Sequence, residues 1–78
     1  MTRDEARAWY ISVLLDHIRE DPYPSATQMS MVEAALERVP QLIPAYVEVL
    51  MEKVGDDKFP STDMLKRIAS MTETIPAQ

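Results

Sequence analysis

The chain contains no cysteine, which excludes disulfides and thiolate-bound metal as the staples that small folds commonly rely on. Its single glycine, Gly55, rules out a glycine-rich phosphate cradle and disfavours a loop-rich architecture. Cations are scarce: eight Lys and Arg stand against thirteen Asp and Glu, for a formal net charge of −5. That balance disfavours a protein that coats a duplex, where clustered cations must neutralise phosphates. No apolar run approaches the roughly 20 residues that a membrane-spanning helix requires, so no membrane contact is expected. The opening Met1-Thr2-Arg3-Asp4-Glu5-Ala6 lacks the cationic head and apolar centre of a secretory signal. The expected compartment is therefore the cytoplasm. What is present suits one small core. The 78 residues, 46% of them hydrophobic, read as a single domain over 1–78 and are too apolar for a disordered chain.

The strongest pattern is internal. Sliding the chain by 36 positions lays residues 7–36 over residues 43–72 without a gap. Six positions are then identical: Tyr10/Tyr46, Val13/Val49, Leu14/Leu50, Asp21/Asp57, Pro24/Pro60 and Ser25/Ser61. Ordinary residue frequencies would give about two. Near-matches such as Ile11/Val47, Ile18/Val54, Tyr23/Phe59, Met29/Leu65 and Val32/Ile68 fall in the same register. Two amphipathic helices always align to some degree. The shared Asp-x-(Tyr/Phe)-Pro-Ser segment lies in a turn, however, and periodicity places no constraint on turns. The sequence therefore reads as a duplicated helical hairpin.

In the first hairpin, about 3–39, Thr2 and Glu5 have capping-box spacing. Trp9, Val13 and Ile18, with Ala6, Tyr10 and Leu14, recur at helical steps as one apolar stripe, which Ile11 and Leu15 widen. The helix should end near Glu20, since a residue before proline is pushed out of the helical region. Ser25 then serves as N-cap with Gln28 at the capping-box position, and Met29, Val32, Ala35, Leu36 and Val39 face inward until Pro40 stops the helix.

In the second hairpin, about 43–75, Pro44 suits a first helical turn. Tyr46, Val47, Leu50, Met51 and Val54 form the stripe, and Gly55 stands where a left-handed C-terminal cap is expected. Ser61 is the next N-cap, Asp63 favours the positive end of the last helix, and Met64, Leu65, Ile68, Met71 and Ile75 should face inward. The terminal Pro76-Ala77-Gln78 should fray. The expected fold is all-α: a compact four-helix domain of two tandem hairpins related by a pseudo-twofold axis.

Chemistry is sparse. His17 lacks the Glu-x-x-His pattern of carboxylate di-metal helices, since Leu14 stands three residues before it, and the adjacent Asp16 points elsewhere on the helix. Its counterpart Lys53 is another cation near a helix C-terminus, which suggests a shared role with the helix dipole. Glu33/Glu37 and Glu48/Glu52 read as solvated faces, and the acids of the two turns as turn formers, so no metal or cofactor is expected. Small acidic four-helix carrier proteins attach their prosthetic group to a serine in an Asp-Ser-Leu context. Pro24-Ser25-Ala26 and Pro60-Ser61-Thr62 depart from it, so helix capping explains both serines. The 36-residue period is near that of tetratricopeptide hairpins, but their Trp-Leu-Gly-Tyr pattern is missing.

By elimination the expected function is non-catalytic protein binding, as an adaptor, assembly factor or regulator, through a helix face or groove. The candidate contacts are Trp9, which pairs with Ala45 and has no aromatic counterpart, together with Tyr10 and Met31. The other aromatics, Tyr23, Tyr46 and Phe59, are expected mostly in the core. A homodimer stays open, because the first helix is more apolar than so small a core requires. The rival reading is a helix-turn-helix DNA-binding regulator using Lys58, Lys66 and Arg67 around the fourth helix. Asp56, Asp57 and Asp63 beside them make a poor phosphate platform, so a nucleic-acid partner is not the first expectation.

Overall fold

In the computed structural model, which describes residues 1–76, the chain runs as helix, turn, helix, 3-10 turn, helix, turn, helix. The elements are α1 (Arg3–Glu20), α2 (Ala26–Leu36), a 3-10 turn (Pro40–Leu42), α3 (Ile43–Asp56) and α4 (Thr62–Thr72). Of the segment expected to fray, Ala77 and Gln78 lie outside the described residues. None of the described helices is long and apolar enough to cross a membrane.

Local chemistry sets the helix starts. Thr2 and Glu5 close a full capping box: the Thr2 Oγ1 accepts the Glu5 N–H at 3.1 Å, and the Glu5 carboxylate accepts the Thr2 N–H at 3.0 Å. These hydrogen bonds favour the ionised form and hold the Glu5 carboxyl below its ordinary pKa. Ser25 and Ser61 cap α2 and α4, accepting the N–H of Gln28 and of Met64 at 3.0 and 3.1 Å. The Gln28 side chain makes no reciprocal bond, and its Oε1 is buried without a partner.

Two ends differ from expectation. Helix α2 stops at Leu36, three residues before Val39, and Pro40 opens the 3-10 turn rather than terminating a helix. Gly55 has no positive φ. α3 continues through it, and the cap is Asp57 in an extended conformation, which any residue can adopt.

Helix α3 is the centre. It packs against α1, against α4 and against the 3-10 turn, and it buries Ile43, Tyr46, Val47, Val49 and Leu50. Helix α1 contributes Ile11, Leu14 and Ile18, while α2 and the residues after it contribute Met29, Val32, Leu36 and Val39. Helix α4 has no fully buried residue; Met64, Ile68 and Met71 cover α3 while staying partly exposed. The stripe expected on α1 splits in two: Ile11, Leu14 and Ile18 turn inward, and Ala6, Trp9, Tyr10 and Val13 turn outward. Met51, Leu65 and Ile75, expected inside, are exposed. Met51 and Leu65 lie on outer edges of α3 and α4, and Ile75 lies in the bend beyond the end of α4.

The C-terminal ends of α1 and α3 come together, so both helix–helix turns lie at one end of the domain. There the Lys53 ammonium donates to the Asp21 carbonyl at 2.7 Å, and Arg19 meets Glu52 at 3.5 Å. Lys53 thus serves the C-terminus of α1 rather than only that of its own helix. The shape is a slab of 41 × 27 × 17 Å. Its accessible surface of 5488 Å² exceeds the about 4,800 Å² typical of a monomer of this mass.

Two stability predictions follow from the helix ends. Replacing Ser25 or Ser61 by Ala should each cost about 1 kcal/mol, lowering the melting temperature by several degrees. In contrast, Gly55→Ala should stabilise by about 0.5 kcal/mol, because an added Cβ meets nothing within 4 Å and the backbone is already helical. Thermal unfolding followed by circular dichroism checks both, and a Gly55→Ala variant that melts below the parent would contradict the helical placement.

Candidate functional site

The outward side of α1 is the first candidate. Ala6, Trp9, Tyr10 and Val13 follow at three- and four-residue steps and share the face turned away from the core. Trp9 is 62% exposed and Tyr10 45%. Asp16, His17 and Glu20 continue the same side as an exposed polar margin, and among the described residues His17 makes no side-chain hydrogen bond. Met31 is exposed too, but it stands on α2, so the three sequence candidates divide into an α1 pair and a separate residue.

A second constellation was not legible as such. The Tyr46 hydroxyl, from the middle of α3, donates to Glu33 Oε2 of α2 at 2.6 Å. One terminal nitrogen of Arg67, from α4, donates to both Glu33 oxygens at 2.8 Å, and Arg67 Nε donates to Asp63 at 2.8 Å. Glu33, read from sequence as part of a solvated face, therefore joins three helices. Burial raises the Tyr46 pKa far above its ordinary value, and the adjacent Glu33 charge raises it further. The carboxylates of Asp63 and Glu33 hold the Arg67 guanidinium charged. The signal available in the sequence was one of position. Glu33 lies beside the Met29/Val32/Leu36 stripe and Arg67 beside Met64/Ile68/Met71, so each carries a charge to the margin of an apolar face.

This arrangement bears on the cations proposed for nucleic acid. Arg67 has a side chain only 16% exposed, with its Nε and one terminal nitrogen taken up by carboxylates. Lys58 and Lys66 are exposed, on the α3–α4 turn and on α4. Of the three cations read as nucleic-acid contacts, two are therefore exposed and the third is paired with Glu33 and Asp63.

Between α2 and the end of α4 the same clasp leaves an open groove of about 530 Å³, lined mainly by Ala34, Leu36, Pro40, Ile43 and Met71 with Glu33 and Glu37 at the rim. The hairpins are therefore not sealed against each other along their whole length.

The third candidate is the end formed by the two turns. Asp21 and Asp57 each accept the N–H of the residue two positions on, Tyr23 and Phe59, at 2.9 Å. Such Asx turns let a short side chain replace a backbone hydrogen bond. Pro24 and Pro60 follow, then the two serine caps, whose φ and ψ are −74° and 147° at Ser25 and −69° and 148° at Ser61. Tyr23 and Phe59, expected in the core, are 86% and 87% exposed. The Asx turn holds the backbone so that the ring projects outward, and no helix packs over it. Beyond the turns the correspondence loosens, for Tyr10 and Val13 are exposed where Tyr46 and Val49 are buried.

Compared with protein-family models, with curated proteins and with solved structures, the chain matches none.

The clasp makes a pH prediction. Because the folded-state pKa of Tyr46 lies above that of the unfolded phenol, its contribution is fully present below about pH 10 and declines as pH rises further. Tyr46→Phe should cost about 1 kcal/mol at neutral pH and flatten this alkaline loss. Urea unfolding at neutral and alkaline pH checks it; equal alkaline slopes in the two proteins would contradict the assignment.

Proposed function

We propose that the chain is a non-catalytic, cytoplasmic protein-binding module, an adaptor, assembly factor or regulator, whose α1 outer face receives an apolar helix face of a partner protein. The observation that carries this reading is the bare stripe Ala6, Trp9, Tyr10 and Val13 on a helix whose opposite side already fills the core. A helix that is apolar on both sides buries one of them only when something else covers it. Trp and Tyr are the residue types that dominate binding hot spots, because they combine large apolar area with few rotatable bonds. The surplus of accessible surface points the same way.

A non-catalytic role agrees with the polar groups. The Oγ atoms of Ser25 and Ser61 are committed to helix caps, and Tyr46 is held protonated between Glu33 and apolar neighbours. The DNA-binding reading loses support because the guanidinium of Arg67 is occupied by Glu33 and Asp63. The hairpin duplication read from the 36-residue correspondence belongs to this proposal as well. In it, one copy supplies the covered central helix and the other the helix that stays open outward.

Trp9 is the only tryptophan, so it reports its own surroundings. The isolated domain should fluoresce as a water-exposed indole that a soluble quencher reaches freely. Partner addition, or self-association at high concentration if the partner is a second copy, should shift the emission to the blue and protect it. Trp9→Ala should leave the stability within about 0.5 kcal/mol of the parent and weaken partner binding at least about tenfold. An indole already shielded in the monomer, or equal loss of folding and binding, would return Trp9 to the core and end this reading.

A further inference from the structure

Neither the core nor the α1 face accounts for the two aromatic rings at the turn end. A turn of the sequence Asp-x-aromatic-Pro-Ser closes equally well with any residue at the aromatic position, since the Asx turn uses only its backbone N–H. Yet a ring stands there twice, and both times it is almost wholly in water. A single exposed ring is ordinary, but two that share one groove make a patch, and such patches mark interaction surfaces.

The two rings serve one place. Tyr23 and Phe59 line the same groove of about 450 Å³, with Pro22, Pro24 and Met64 as its apolar wall. A second cleft of about 340 Å³ adjoins it through Pro22, Tyr23 and Asp57, and there Glu20, Asp56 and Asp57 set three carboxylates against the one ammonium of Lys53. That ammonium is already turned onto the Asp21 carbonyl. With Asp21 and Lys58 of the turns included, Glu20, Asp21, Asp56 and Asp57 stand against Lys53 and Lys58, so this end of the domain offers π faces and an excess of negative charge together. An anionic ligand would meet like charge and a neutral one would leave the carboxylates unpaired; a cation would meet carboxylates and the negative faces of two rings.

We propose that the groove between the α1–α2 and α3–α4 turns is a docking surface for a basic linear segment of another protein. An arginine or lysine side chain of that segment lies against Tyr23 and Phe59 while its charge faces Glu20, Asp56 and Asp57. Arginine suits the site better than lysine, because its planar guanidinium stacks on a ring and donates to a carboxylate at once. The surface meets the polar margin of the α1 outer face at Glu20 but shares none of its apolar residues Ala6, Trp9, Tyr10 and Val13.

The test uses the whole 78-residue chain, isotopically labelled, titrated with a synthetic Arg-Gly repeat peptide and with the same peptide carrying neutral citrulline in place of arginine. The arginine peptide should shift the amide signals of residues 20–24 and 56–61, and binding should weaken as salt rises. The citrulline peptide should bind at least about tenfold more weakly. Tyr23→Leu with Phe59→Leu, which keeps apolar bulk at two exposed sites, should also weaken binding about tenfold while the melting temperature stays unchanged. Trp9→Ala should bind the peptide as the parent does. Equal affinity for citrulline would overturn the proposal. So would salt-sensitive binding that the double leucine variant leaves intact, because that is general attraction to an acidic chain. Self-association through the turns, seen by sedimentation and lost in the same variant, would make the occupant a second copy and likewise defeat it.

Discussion

Burial of α3 between α1 on one side and α4 on the other is the contact that holds this protein together. A chain of 78 residues without disulfide or metal has only its apolar faces to offset the entropy of ordering. Concentrating them on one central helix is economical: Ile43, Tyr46, Val47, Val49 and Leu50 supply the largest single share of the buried residues. Helix α4, with no wholly buried residue of its own, is stable where it is because α3 is there to receive Met64, Ile68 and Met71. Removing a buried side chain from α3 would be felt by every other element.

The polar clasp of Tyr46, Glu33, Arg67 and Asp63 completes what apolar packing leaves open. A hydroxyl in the middle of a core strands a donor unless an acceptor reaches it, and Glu33 is that acceptor. A carboxylate drawn to the core margin is costly in turn unless a cation follows, and Arg67 follows. The chain of requirements runs from one buried phenol to two outer helices. It sets the position of α4 relative to α2 more sharply than contact between partly exposed methionines does. It also leaves the remainder of the α2–α4 seam as a groove.

The same economy explains the surfaces. So flat a domain covers each helix on a limited arc, and α1 is apolar over more than its arc. At the turn end, capping chemistry places two rings in water beside carboxylates. The α1 face and the turn end differ in kind. One is a stripe on a rigid helix suited to another helix, and the other a pair of rings and charges suited to a cationic side chain. Under the two proposals made above, the domain would join two partners through faces of different chemistry.

Much of the architecture was written locally, and local rules recovered it. Thr2 with Glu5, Ser25 and Ser61, and Pro22 and Pro44 act within one turn of the chain, so helix count, helix starts and both turns could be read from residue type and spacing. Periodicity likewise identified Ile18, Met29, Val32, Leu36, Tyr46 and Leu50 as inward-facing. It could not divide α1 into a buried and a bare side, because a helix with two apolar faces has two equivalent solutions until a neighbour chooses one. Nor could it tell Tyr10 from Tyr46, which share a place in the hairpin and differ only in whether helices pack on both sides. Glu33 and Arg67 stand 34 positions apart, and no local rule couples them. Their pairing, the exposure of Tyr23 and Phe59, and the meeting of the two turns at one end were decided by how the hairpins lie against each other. Packing between distant segments depends on the whole surface each presents, and that surface exists only once the helices have formed.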